Sequence, residues 1–252
     1  MSEKIRLDQL LLQKNLAVSK SQAQAMIIAG EVLADEQKIQ KPGTMVKPGA
    51  VIRLLGVKCP YVSRGGLKLA GALDFFGVSP QGLRCLDVGA STGGFTDCLL
   101  RRGAAAVIAL DVGYNQLDWR IRSDQRVAVI EKCNFRHCAR AQLLELSGWP
   151  DLNLSLATVD VSFISLAKIF PPLFNVLENG ARVIALVKPQ FEAGREEVGK
   201  GGIVRDAAVH DKVQEKVRGY AAAAGFKILG ETVSPLTGMD GNKEFFIYLE
   251  KP

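Results

Sequence analysis

The chain lacks any apolar run approaching the roughly 18 residues needed to span a membrane as a helix. Its first residues, Met-Ser-Glu-Lys-Ile-Arg, pass directly into charged, periodic sequence without the apolar core of a secretion signal. The five cysteines (Cys59, Cys85, Cys98, Cys133, Cys138) show no C-x-x-C spacing. An odd number of thiols without a secretion signal reads as reduced cysteine in a cytoplasmic protein. Cys133, His137 and Cys138 lie close in sequence but lack a clear fourth ligand, so no metal site is expected. Internal repeats and low-complexity segments are also missing. These absences argue against membrane proteins, disulfide scaffolds and repeat architectures.

What is present is a chain of 252 residues, 48% hydrophobic, long enough for one large or two smaller domains. The net charge of +6 is unevenly spread: residues 1–60 carry 9 Lys/Arg against 5 Asp/Glu, and the remaining 192 carry 23 against 21. Basic excess in the first quarter suggests a polyanionic partner there.

The segment 85–98, Cys-Leu-Asp-Val-Gly-Ala-Ser-Thr-Gly-Gly-Phe-Thr-Asp-Cys, is the most informative. An apolar run ends in a carboxylate, Asp87. A glycine turn follows (Gly89, Gly93, Gly94), then an amphipathic stretch from Phe95 to Leu100. This predicts strand, loop and helix at the edge of a parallel sheet. The middle glycine of a dinucleotide fingerprint falls on Ser91, and the lysine of a phosphate-binding loop falls on Phe95. A nucleotide without phosphates fits this loop better, and S-adenosylmethionine is such a ligand. The next strand, Ala105 to Leu110, ends in Asp111, placed to bind ribose hydroxyls. A solvated turn aspartate would look the same.

Two domains are expected, 1–58 and 61–252. In the first, residues 5–16 set Leu7, Leu10 and Leu11 on one helical face. Ser19 offers a cap to a second helix through Ala23, Met26 and Ile27, which Gly30 stops. Short strands at 31–33 and 51–55 follow, separated by turns at Pro42-Gly43 and Pro48-Gly49. Arg6, Lys20, Lys41, Lys47 and Arg53 belong to this unit, and Arg64 follows it. After a connector at 57–62, strands are predicted at 83–87, 105–111, 127–130, 154–160, 181–187, 227–233 and 244–250, with helices between most of them. That alternation predicts an α/β doubly wound, Rossmann-like sheet. The turn Asp240-Gly241-Asn242 makes the last strand a candidate hairpin partner of the one before.

In such a sheet the carboxyl ends of the strands face the ligand crevice. Asp160 and Lys188 end two neighbouring strands. Glu244 begins the last strand, which, run antiparallel, would start at the same edge. A lysine held there by carboxylates can orient a substrate hydroxyl and assist its deprotonation. Ordinary salt bridges at strand ends would share this pattern.

These residues carry resemblances. Arg6-Leu7-Asp8, Ser19-x-Ser21-x-Ala23, Ile28-x-Gly30-x-Val32, Lys41-Pro42 and Pro48-Gly49 together resemble the alpha-L RNA-binding domain shared by small-subunit ribosomal protein four and many RNA-modifying enzymes. That resemblance implies binding of structured RNA through shape and phosphate contacts, with Arg6, Lys20, Lys41, Lys47, Arg53 and Arg64 as candidate ligands. Ser63-Arg-Gly-Gly-Leu-Lys68-Leu69 resembles the segment bearing the first lysine of FtsJ-type ribose methyltransferases. Lys68, Asp160, Lys188 and Glu244 then stand in the order of that superfamily's Lys-Asp-Lys-Glu tetrad. Asp160-Val-Ser-Phe-Ile-Ser, Lys188-Pro-Gln-Phe-Glu and Gly241-Asn-Lys-Glu244 are similar to the TlyA (haemolysin A) family of rRNA 2′-O-methyltransferases.

The resemblance implies an enzyme that transfers a methyl group from S-adenosylmethionine to a ribose 2′-hydroxyl, with cytidine the expected nucleotide and ribosomal RNA or ribosomal subunits as partners. Lys188 is the implied base, oriented by Asp160, with Lys68 and Glu244 positioning the ribose. Asp87, Gly89, Ala90, Ser91, Thr92, Gly93, Gly94, Phe95, Asp111, Val112, Asn134, Phe135 and Asp160 are the implied cofactor residues. The Gly194–Gly202 loop could close over substrate or be a mobile surface loop. The connector Gly56-Val-Lys-Cys-Pro60 departs from some members in lacking a tryptophan motif. Base methylation is the nearest alternative, but Asp160-Val-Ser-Phe stands where such enzymes often carry Asn/Asp-Pro-Pro-Tyr/Phe, and no cysteine lies near Asp160. A non-enzymatic assembly factor and a membrane-lysing protein are the other readings.

Overall fold

The structure, a computed structural model, describes residues 4–14, 16–17, 19–55, 59–238 and 241–252. Residues 57 and 58 of the expected connector 57–62, the preceding residue 56, and Asp240 of the expected turn therefore lie outside the described residues. The chain divides into two compact units, Met1–Pro60 and Tyr61–Pro252.

The first unit contains β1 (Ile5–Arg6), α1 (Leu7–Gln13), α2 (Lys20–Ile28), β2 (Val32–Ala34), β3 (Gln37–Ile39), β4 (Met45–Val46) and β5 (Ile52–Leu54). Leu7, Leu11, Ala23 and Ile27 bury the facing sides of the two helices against Val32 and Ala34. The Ser19 hydroxyl accepts from the Gln22 amide at 3.2 Å, and α2 ends in a Schellman turn: Gly30 N–H reaches Ile27 O, and Glu31 N–H reaches Met26 O. Gly30 sits at φ +71°, the left-handed conformation that this stop requires. β3–β2–β5 form one antiparallel sheet and β1–β4 another. The strands β1, β3 and β4 were not expected; two or three residues are too few to show an alternating pattern.

The second unit continues with α3 (Gly65–Phe76), β6 (Arg84–Val88), α4 (Gly94–Arg101), β7 (Ala106–Leu110), α5 (Trp119–Arg122), β8 (Val127–Ile130), α6 (Arg140–Ser147), β9 (Leu154–Val159), α7 (Phe170–Val176), β10 (Arg182–Val187), α8 (Pro189–Glu192), α9 (Ala207–Ala223), β11 (Lys227–Val233) and β12 (Phe245–Glu250). Its seven-stranded sheet has the order β11-β12-β10-β9-β6-β7-β8, with β12 antiparallel to both neighbours and the other strands parallel.

Side chains alternate across the strands, so two cores form. Leu86, Val88, Ala157, Val159, Val183 and Val187 face the layer of α6, α7 and α9. Cys85, Leu156, Ile184, Leu186 and Phe246 face that of α3, α4 and α5. Burial pushes the thiols of Cys85 and Cys138 up to about 12, as expected of core cysteines. Strand order reverses between β6 and β9, so the crevice opens at the carboxyl ends of those strands.

Candidate active site

Gly89 follows β6 at φ +86°, and a Cβ there would lie 2.5 Å from Asp160 O, so the chain leaving β6 can pass the end of β9 only at a glycine. Gly94 meets a different need. A Cβ on it would fall 2.1 Å from Ser63 Oγ and 3.0 Å from Gly66 N, so it lets the helix bearing Lys68 pack onto α4. Ser91 holds φ +48° without being glycine, and its amide donates to Asp111 Oδ2 at 2.8 Å. Gly113 N donates to the other oxygen at 2.7 Å. Two fixed N–H donors thus aim the Asp111 carboxylate at the cavity beside it.

That cavity is lined by Val88, Gly89, Ser91, Leu110, Asp111 and Val112 on one side, with Asn134 and Phe135 beyond β8. Asp160, Val161, Ser162, Phe163 and Ile164 form the opposite wall. Gly113, Gln116 and the 161–164 segment were not expected as cavity lining; the signal for Gly113 and Gln116 was their position just after a predicted strand end, and for 161–164 the motif that begins at Asp160. Ala90, Thr92, Gly93, Gly94 and Phe95 do not line the cavity. Phe95 is buried and packs near Phe246, with ring centroids 6.3 Å apart. Asp87 does not reach the cavity either: it is fully buried, and its oxygens accept from Thr96 Oγ1 (2.7 Å) and Thr158 Oγ1 (3.0 Å). Asp87 lies within β6 rather than at its end; it shares the Cys85 face and points at α4. Burial pushes its carboxyl up to about 7.

Lys68, Asp160, Lys188 and Glu244 come together from four elements. Phe245 pairs with Val187 across β12 and β10, which sets Glu244 opposite Lys188. Lys68 Nζ lies 2.5 Å from Glu244 Oε2, and both are largely buried. Lys188 Nζ lies 2.6 Å from Asp160 Oδ1 and donates to Ser162 Oγ at 2.9 Å. The Asp160 contact lacks hydrogen-bond alignment, so Oδ1 retains an acceptor position. Burial pushes the Glu244 carboxyl upward, while Lys68 and then Lys188 oppose the shift. Two lysines and two carboxylates neutralise one another beside the cavity, an arrangement suited to orienting and deprotonating a hydroxyl.

The Gly194–Gly202 loop is tied down. Gly199 and Ile203 form an isolated bridge, and the buried Asn242 amide donates to Gly202 O and accepts from Val204 N, both at 2.9 Å. Among the described residues, no cluster of three His, Cys, Asp or Glu could hold a metal ion, and no helix is long and apolar enough to cross a membrane.

In the first unit, Arg6 makes a two-point pair with buried Asp8 (3.0 and 2.7 Å), and Arg53 pairs with Glu36. Lys20, Lys41 and Lys47 are exposed.

The sheet order and the cavity at its switch point define an α/β methyltransferase that uses S-adenosylmethionine. Residues 61–251 match the family of FtsJ-like methyltransferases and residues 5–52 match the S4 domain; the chain belongs to the FtsJ-like methyltransferase family. It is 42% identical to the 16S/23S rRNA (cytidine-2′-O)-methyltransferase TlyA of Mycobacterium tuberculosis, over 99% of this chain and 91% of that one. A solved structure of a candidate hemolysin from Streptococcus thermophilus is 44% identical, with a TM-score of 0.75 over 100% of this chain and 90% of that one. An S-adenosylmethionine-dependent methyltransferase from Mesorhizobium loti, 15% identical, shares the fold alone, with a TM-score of 0.52 over 73% of this chain and 97% of that one.

Proposed function

We propose that this protein methylates a ribose 2′-hydroxyl of ribosomal RNA, with cytidine as the nucleotide, in the cytoplasm. The observation that carries this reading is the pairing of Lys188 with Asp160 and of Lys68 with Glu244 at the edge of the cavity.

The cavity suits the cofactor. Its lining contains two carboxylates, Asp111 and Asp160, and no lysine or arginine, which favours a sulfonium cation and disfavours phosphate. Apolar Leu110, Phe135 and Ile169 would contact the adenine region, and Asp111 the ribose hydroxyls. S-adenosylmethionine supplies the electrophilic methyl group and a good leaving group, so the protein contributes mainly position. Lys188 Nζ, positioned by Asp160 and Ser162, acts in its neutral amine form: after giving up its own proton to solvent it takes the hydroxyl proton as the ribose oxygen accepts the methyl in line. Lys68 and Glu244 hold the ribose.

Cofactor binding is tested by calorimetry. S-adenosylmethionine and its demethylated product should bind, with NAD and ATP silent. Asp111→Ala should weaken binding by about 1–3 kcal/mol through lost hydrogen bonds. ATP binding of comparable strength would contradict the reading.

The distribution of free cations supports an RNA substrate. Most arginines of the second unit pair with carboxylates, as Arg84 does with Asp151 and Arg102 with Asp74. Arg64, Arg136, Arg195 and Arg205 have no carboxylate partner among the described residues. Arg136, Arg195 and Arg205 lie on connections that follow the carboxyl ends of parallel strands, and Arg64 opens α3, whose start packs against Gly94 at the beginning of α4. Phe163, 92% exposed on the cavity wall, offers a face on which a base can stack. In the first unit, Lys20, Lys41 and Lys47 are the phosphate ligands this reading favours. Their triple replacement by alanine should weaken RNA binding and lower the salt slope by about 2 to 3, since each phosphate contact releases counterions. An unchanged slope, read by filter binding across a salt series, would remove these lysines from the interface.

A further inference from the structure

Glu192 is a buried carboxylate, 4% exposed, that the chemistry above does not use. It closes α8, four residues after Lys188. Ser165 Oγ donates to its Oε2 at 2.6 Å and Leu166 N to its Oε1 at 2.7 Å. Both donors belong to the segment that follows β9 and begins with Asp160. Desolvation pushes the Glu192 carboxyl upward and these two donors oppose the shift, so the ties matter to keeping it charged there. Lys216, from α9, donates to Glu192 O at 2.9 Å and anchors the same turn from behind.

The contacts close a ring. Backbone runs from Lys188 to Glu192, the carboxylate crosses to Ser165 and Leu166, backbone returns to Ser162, and Ser162 Oγ accepts from Lys188 Nζ. The rings of Phe163 and Phe191, 5.0 Å apart, join the two limbs midway. Within the ring Phe163 is held at φ +61°, a conformation that a bulky residue keeps only when its surroundings over-determine it. One limb of the ring, Asp160 to Ile164, is also a wall of the cofactor cavity.

We propose that Glu192 is a positioning residue: it clamps the segment after β9 to the turn after β10, and so sets both the Lys188 amino group against Asp160 and Ser162 and one wall of the cofactor cavity. Its effect on rate rests on the assignment of Lys188 above; its effect on the cavity does not.

The test uses the full chain and two readouts: S-adenosylhomocysteine affinity by calorimetry and single-turnover methylation of ribosomal RNA, both below the melting range of each variant. Glu192→Ala should lower affinity by about tenfold and the rate by about a hundredfold, the scale of a misplacement near 1 Å. Glu192→Gln can still accept from Leu166 N and donate to Ser165 Oγ, and should restore both to within about threefold, because the hydrogen-bond geometry survives. Ser165→Ala, which removes one tie only, should fall between them and keeps the test open if Glu192→Ala does not fold. Ser162→Ala should cost less rate in the Ser165→Ala background than alone, since residues in one network couple. Additive effects, or variants that lower only the melting temperature while the folded protein keeps native affinity and rate, would overturn the proposal. If the unaltered protein binds S-adenosylhomocysteine but methylates no RNA, the functional reading fails and the affinity arm still decides the role of Glu192.

Discussion

Lys188→Ala should leave cofactor and RNA affinity nearly intact while the methylation rate falls about a hundredfold or more, the usual range for a lost general base. Lys188→Arg should not rescue it. A guanidinium would preserve the charge opposite Asp160 but keeps its proton at any working pH. Were Lys188 only the ion-pair partner of Asp160 at 2.6 Å, arginine would retain most of the activity and alanine would show its effect first in stability. Single-turnover rates measured beside melting curves separate the two cases. A near-native rate for the arginine variant would defeat the assignment of Lys188 as base.

The second large effect concerns stability. Asp87, its carboxyl raised from 3.8 to about 7 by burial, binds a proton more tightly in the folded chain than in the unfolded one. Its contribution is therefore full below about pH 4, declines as pH rises, and is lost above about 7. At 1.36 kcal/mol per pKa unit, the change across that window is about 4 kcal/mol. Asp87→Asn keeps a hydrogen-bonding group between Thr96 and Thr158 but does not titrate. Its stability relative to the parent should rise by about that amount from pH 4 to pH 8, as the parent loses the Asp87 contribution. Urea unfolding of both proteins across the range checks this. A constant difference would show that Asp87 is ionised throughout.

Much of the second unit was legible in its sequence because parallel strands buried on both faces read as uninterrupted apolar runs. The seven predicted strands match those of the sheet to within about a residue at each end. Asp87 was nevertheless misplaced: it lies one residue before the end of β6, on the Cys85 face that alternation turns toward α4. The Lys-Asp-Lys-Glu set was legible because each member sits at a strand end or, for Lys68, in a motif preceding the sheet.

The roles of Ser162, Gln116 and Glu192 were not legible, although Ser162 and Glu192 stand inside the motifs that begin at Asp160 and Lys188. Their roles depend on loops that cross from one strand end to another, and periodicity does not encode such crossings. Glycine was ambiguous for a similar reason. Gly89 and Gly94 look alike in the sequence, yet one meets the β9 strand end and the other a helix. The Arg6 and Arg53 pairings likewise depend on where Asp8 and Glu36 fold.

The most direct test is to incubate ribosomal RNA and ribosomal subunits lacking ribose methylation at the candidate positions with the full chain and methyl-labelled S-adenosylmethionine, then map the label to the nucleotide and atom. Label on a ribose 2′-oxygen, absent with Lys188→Ala, is the predicted result. Label on a base, or no label from a protein that binds the cofactor and the RNA, would contradict ribose methylation as the function of this site.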